Sequence, residues 1–279
     1  MSEIVKDMPD AEYFASKAVS NSLLSRMKPT PASCREYMDN PPDPTPAMRF
    51  GSALHSLVLE PQLFESRYVR EPDLKKPTAA QLKAKNPSDA TVKLIAAWNA
   101  FDEVNCGCET VSAADWEKLH LMRHSLFDNK AARSVLKEGE KELSLFWKDD
   151  QSNVDMKCRI DNFYNGYVID LKTTTDASPD AFGKSIANFG YHRQAAIYSD
   201  GVRACMHEEP KGFIFVAVEK TAPFLTATYI LDAESLEAGH REYRQLLGQY
   251  ACCVESNSWI GYPERVQELS LPHWYNTGE

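Results

Sequence analysis

The 279-residue chain lacks the features that mark several common classes. No apolar run approaches the ~18 residues of a membrane-spanning helix. The opening residues, "MSEIVKDMPDAEYF", are mixed in charge and lack the apolar stretch of a signal peptide. A cytoplasmic protein with no membrane partner is therefore expected. No CxxC pair or zinc-like quartet occurs among the seven cysteines, Cys34, Cys106, Cys108, Cys158, Cys205, Cys252 and Cys253, whose spacing is irregular. They read as reduced core and surface thiols. The absence of a Gly-rich phosphate loop speaks against ATP hydrolysis, and the absence of a nucleophile elbow speaks against Ser–His–Asp chemistry. Positive charge is also short. A net charge of −9 argues against a protein that coats DNA, although a local basic groove can still handle phosphates. Residues 70–100 are the local exception, with Arg70, Lys75, Lys76, Lys83, Lys85 and Lys93 against Glu71, Asp73 and Asp89. That segment is either a solvated loop or an arm that tracks phosphates.

Apolar residues make up 43% of the chain, enough to bury a sizeable core. No composition shift marks a boundary, so one domain spanning 1–279 is expected. Its first 70 residues read as short helices, and 71–90 as a mobile, basic, Pro-interrupted loop. "AMRFGSALHSLVLEP" reads as a helix with Leu54, Leu57 and Val58 on its apolar stripe, stopped before Pro61. Two helical stretches follow, at about 91–105 and 112–137. Residues 138–232 carry the strands: "GEKELSLFWKDD", a hairpin, the continuous apolar run "GFIFVAVE" and the alternating "LTATYILD". Within that region Ser178-Pro179 starts one helix and a second begins near Tyr191. A long amphipathic helix and a tail close the chain over 233–279. This order predicts an α/β fold with a mixed central sheet flanked by helices.

The hairpin "CRIDNFYNGYVIDLKTT" (158–174) is unusual in carrying acids inside apolar strands. Asn165-Gly166 is a favoured two-residue turn, since both residues tolerate positive φ. Counting outward from it pairs Tyr164 with Tyr167 and Asp161 with Asp170. By alternation Arg159, Asp161, Asp170 and Lys172 share a face. Opposed carboxylates destabilise a sheet unless something positive compensates. Either Arg159 and Lys172 do so at a solvated surface, or a divalent cation does.

Other polar residues are placed to join them. Glu140 and Glu142 lie on the preceding strand, on one face. Gln194 and Tyr198 are four residues apart in the following helix and so share a side. His55 sits in the early Gly-containing helix. His192 and Arg193 either touch phosphate or lie at the surface. Trp98, Trp116, Trp147, Trp259 and Trp274 read as core or interface.

The set Asp161…Asp170-Leu171-Lys172, with "DLKTT", Gln194 and Tyr198 in "YHRQAAIY", and His55 in "FGSALHSLVLEP", resembles the PDDEXK nuclease superfamily. Within it the pattern is similar to the RecE-type (exonuclease VIII-like) exonucleases of phages and prophages, over about residues 20–275. The resemblance implies a restriction-endonuclease-like core and hydrolysis of DNA phosphodiesters with Mg2+, or Mn2+ in its place. Asp161, Asp170, the Leu171 carbonyl, Glu142 and His55 would be metal ligands, with Glu140 the alternative to Glu142. Lys172 would orient or deprotonate water if its pKa is lowered, or otherwise stabilise developing charge. Gln194 and Tyr198 would meet the active-site strand and the DNA backbone. The family further implies 5′ to 3′ digestion of linear double-stranded DNA, a homo-oligomeric ring and a single-strand annealing partner. The departure from the archetype is Asp170 in place of Glu. Two alternatives stay open: an iron–sulfur nuclease of the CRISPR-adaptation type, and an inactive DNA-binding or recombinase-loading module.

Overall fold

Local sequence explains most of the element boundaries. The computed structural model describes residues 2–272 and 275. A short strand β1 (Glu3–Val5) is followed by helices α1 (Asp10–Ala15), α2 (Asn21–Ser25), α3 (Pro31–Asp39), α4 (Pro46–Leu59) and α5 (Pro61–Arg67). Three of these begin with Pro in the first turn, where its missing N–H costs nothing. Thr30 and Thr45 cap α3 and α4 by accepting from Ser33 and Met48 N–H. Next come β2 (Tyr68–Arg70), α6 (Ala79–Leu82), α7 (Asp89–Val104), β3 (Glu109–Val111), α8 (Ala113–Asp128) and α9 (Lys130–Leu136). The span 71–90, expected as a loop, thus holds a one-turn helix with a Thr78/Gln81 capping box. It is tied to α7 by Trp98, whose indole N–H donates to the Lys75 carbonyl.

The remaining elements are β4 (Glu140–Lys148), β5 (Asp155–Tyr164), β6 (Tyr167–Thr174), α10 (Pro179–Phe189), α11 (Tyr191–Met206), β7 (Gly212–Glu219), β8 (Thr226–Ile230) and α12 (Ala233–Ser256). β1, β4, β5, β6, β7 and β8 form one sheet in that order. β6 and β7 run parallel and every other neighbouring pair is antiparallel. This is the mixed sheet that the element order predicts, widened by the three-residue β1. The turn also forms as read, with φ of +52° at Asn165 and +83° at Gly166.

β6 lies in the middle and is covered on both faces. Val168 packs with Leu143, Leu145, Ile160, Phe213 and Phe215 under α10, α11 and α12. Ile169 and Leu171 face the other way, onto Val216 and Val218 beneath α4 (Leu54, Leu57, Val58) and α8 (Leu119, Met122, Leu126). A strand buried on both sides has no solvated face for a charge. Asp170 and Lys172 in that strand need internal partners. Among the described residues no helix is long and apolar enough to cross a membrane.

Candidate active site

β5 and β6 start as a regular hairpin and then part. Tyr164 pairs with Tyr167, Phe163 with Val168 and Asn162 with Ile169, and there the ladder ends. The Asp161–Asp170 pair counted from the turn does not form. In a continued ladder the Leu171 N–H would bond the Ile160 carbonyl. Here it donates to Oδ2 of Asp161 at 2.7 Å, in the protein interior. A carboxylate side chain has displaced a backbone acceptor, and the strands separate at that point.

Opposite this gap, β4 pairs Lys141 with Asn162 and Leu143 with Ile160, leaving Glu142 between them. Glu142 has φ +47°, a left-handed conformation that costs a non-glycine residue about 1–2 kcal/mol. Such strain persists only where surrounding structure holds it, and it gathers at functional sites. One ligand atom each of Glu142, Asp161 and His55 lie within 4.8 Å of one another. No other such trio of His, Cys, Asp or Glu occurs among the described residues, and this one contains no cysteine. Glu140 turns away to an exposed ion pair with Lys6 at 2.7 Å. Glu142 is therefore the β4 acid at the site.

His55 reaches the sheet from α4. Its Nε2 is 2.8 Å from the Leu171 carbonyl oxygen and its Nδ1 is 3.5 Å from Oδ2 of Asp161. Burial alone would depress its pKa, but the Asp161 charge, the hydrogen bond to Asp161 and the Glu142 charge together outweigh burial and push it up to about 9. Asp161 is the mirror case. Burial would raise it, yet His55, Lys172 and the Leu171 N–H together hold it below the usual carboxylate range. For Glu142 the compensation from the His55 and Arg159 charges falls short. Burial first, and the Asp161 charge second, push it up to about 8.

Asp170 is 1% exposed and belongs to a different set of contacts. Its Oδ1 accepts from Gln194 Nε2 of α11 at 2.6 Å, and its Oδ2 is ion-paired with Lys172. Burial raises it to about 6, with Lys172 opposing and Asp161 adding to the shift. Burial would also lower Lys172, but Asp170 and Asp161 prevail and hold it above its ordinary value. The lowered lysine pKa that a base role requires is not produced by these side chains alone. Lys172 Nζ further lies 4.8 Å from the centroid of the Tyr191 ring.

The other expected residues divide. Gln194 meets the active-site strand, whereas Tyr198, one turn further along α11, packs on Phe213 with ring centroids 6.0 Å apart. Arg159 does not neutralise Asp161, because it donates to Asp10 and to the Ser144 hydroxyl. Arg193 is 1% exposed and donates to Glu242, Asn21 and Ser25, which excludes it from the surface and from phosphate. His192 is held by the same Glu242 at 2.8 Å. Trp98 and Trp147 are core residues, and Trp274 lies outside the described residues.

Residues 20–271 match a known family described as a PDDEXK-like domain of unknown function, DUF3799. The chain belongs to that family. A crystal structure of a candidate exonuclease from Eubacterium rectale is similar in fold to this PDDEXK-like chain, with a TM-score of 0.58. The likeness covers 98% of this chain and 99% of that one at 13% sequence identity. No curated protein matches the sequence.

The donor set of this PDDEXK-like site fits a hard divalent cation. Two carboxylates and a backbone carbonyl are the oxygen ligands that Mg2+ and Mn2+ take, and an imidazole favours the transition metal of the two. Glu142, left beside another acid with its carboxyl pushed up to about 8, is the group that a cation would relieve. Two contributors escaped sequence reasoning. Tyr191 stands three residues before Gln194, on the same helix face, and that spacing was the available signal. The buried Arg193–Glu242 pair, which fixes α11 against α12 and α2, joins residues 49 apart in sequence and left no local trace.

Proposed function

We propose that this PDDEXK-like protein is a metal-dependent exodeoxyribonuclease that digests linear double-stranded DNA from its ends. The observation that carries this reading is the meeting of Glu142, Asp161 and His55 beside Asp170-Leu171-Lys172, at a point where the hairpin ladder is broken. The fold likeness to a candidate exonuclease points the same way. Digestion from 5′ to 3′, release of nucleotides with 3′ single-stranded tails, assembly into a ring and work alongside a single-strand annealing protein rest on the resemblance to RecE-type exonucleases.

Glu142, Asp161 and His55, with the Leu171 carbonyl, would hold Mg2+ or Mn2+. The ion would supply Lewis-acid activation of the phosphodiester and of water. The chain's own groups set the rest. Asp161 fixes the Leu171 N–H, which keeps the strands apart. Gln194 and Lys172 hold Asp170 ionised in a buried position where it would otherwise favour protonation. The Lys172 ammonium, fixed between Asp170 and the Tyr191 ring, stabilises negative charge as it builds on the phosphate in the transition state.

Digestion of duplexes labelled at one 5′ or one 3′ end, beside a closed circle, tests the reading. Mg2+-dependent early release of the 5′ label, with the circle intact and a chelator blocking the reaction, is expected. Cutting of the circle would make the protein an endonuclease. No cleavage with either ion would leave a DNA-binding module.

A further inference from the structure

We propose that Phe189 is a stacking platform for a nucleobase near the scissile phosphate, an inference that rests on the DNA-cleaving reading above. Phe189 is the last residue of α10 and is 64% exposed. A single exposed apolar side chain is ordinary and by itself says nothing. Its position does. The Phe189 ring lies 5.6 Å from that of Tyr191, at 35°, and the Tyr191 centroid is 4.8 Å from Lys172 Nζ. On its inner side Tyr191 meets Phe215 at 5.9 Å and Phe182 at 6.3 Å. A row of aromatic rings thus runs from the core, past the active-site lysine, to one open ring at the surface. Phe189 stands no more than about 10 Å from the lysine, which is within three nucleotides at ~3.4 Å per nucleotide along a strand.

The backbone beside the ring is also fixed. One residue, Gly190, joins α10 to α11, with φ +68°, and a Cβ there would come within 2.6 Å of the Arg193 guanidinium. Arg193 in turn is fixed by Glu242, Asn21 and Ser25. Moving the junction would unpair a buried guanidinium, so the ring is set on a rigid corner and not on a loose loop. Stacking on an aromatic face tolerates any base. That suits an enzyme that must degrade DNA of every sequence.

The test uses the full chain and duplexes carrying 2-aminopurine near one end. Binding is read in Ca2+, which holds the substrate uncut, and cleavage in Mg2+. Quenching of the probe is expected with the parent, is lost in Phe189→Ala and Phe189→Leu, and returns in Phe189→Trp. The apparent KM for linear duplex rises about 5- to 100-fold in the Ala and Leu variants, as loss of one stacked base implies. A Leu variant that matches the parent would mean an apolar protein contact and not a base, and would overturn the proposal. So would a parent that cuts DNA while Phe189→Ala keeps both KM and quenching, although the nuclease reading would then survive. A parent that neither binds nor cuts DNA removes both.

Discussion

Asp161 serves the fold and, in the proposed reaction, the chemistry, and two substitutions separate the roles. Asp161→Ala removes a ligand and also the acceptor of the buried Leu171 N–H. An orphaned buried donor costs about 1–3 kcal/mol. Loss of the Asp161 charge relieves Glu142 and Asp170 but also strips His55 and Lys172 of a partner, so none of that cost is returned. Asp161→Asn keeps an oxygen for the Leu171 N–H and loses only the charge, so its stability should stay within about 1 kcal/mol of the parent. At roughly 2–4 °C per kcal/mol for a chain of this size, the Ala variant should melt roughly 2–10 °C below the Asn variant in EDTA. Activity should not separate them. Each loses several kcal/mol of Lewis-acid stabilisation, about 10^3-fold in rate or more. An Asn variant that cuts linear duplex within tenfold of the parent would refute the ligand role. An Ala variant as stable as the Asn variant would refute the reading of the broken ladder.

Gln194→Ala strips Asp170 of its only neutral side-chain donor among the described residues. It should lower activity about 10–100-fold by loosening the Asp170–Lys172 pair, whereas an unchanged rate would detach Gln194 from the site. Glu142→Gln should abolish both cleavage and the rise in melting temperature on adding Mn2+, while Glu140→Gln, which loses only the exposed Lys6 pair, should leave both intact. Glu242→Gln leaves the buried Arg193 guanidinium with neutral acceptors only and should cost about 3 kcal/mol in urea unfolding. Burial would raise the Glu242 pKa, but Lys28, Arg193 and His192 lower it below the usual range. Its contribution is therefore complete above the ordinary carboxylate pKa and is lost as pH falls through the depressed value, so the parent should lose more stability on acidification than the Gln variant.

What was legible in the sequence was local. Asn165-Gly166 specifies its own turn, "GFIFVAVE" is a strand to the residue, and α11 and α12 begin where the sequence pattern places them. The three-residue strands β1, β2 and β3 are too short for alternation to register. The single helix expected over 112–137 is two, because Asn129 leaves the helical path and its side chain accepts from the Ala131 and Ala132 N–H groups. At the site, residue choice was readable and register was not. Counting from a turn assumes that backbone pairs with backbone, and Asp161 competes for a backbone donor instead. The positive φ of Glu142 is likewise imposed by tertiary structure, since nothing in "EKELSL" favours it.

The charges explain why the acids are divided as they are. Asp170, enclosed on both faces of β6, could stay ionised only with its own cation, and Lys172 two residues along the same strand face supplies it. Asp161 draws on His55 and on a backbone N–H. Three acids thus lean chiefly on His55 and Lys172, and the deficit falls on Glu142, whose carboxyl is raised furthest of the three from its ordinary value. A hard cation would therefore gain most on the Glu142–Asp161 side of the gap, away from the face-to-face pair that the hairpin register implied. Lys172 would stay on the Asp170 side, one peptide from the Leu171 carbonyl. In the proposed reaction that separation would keep the ammonium out of the cation's place and let both positive charges act on one phosphate.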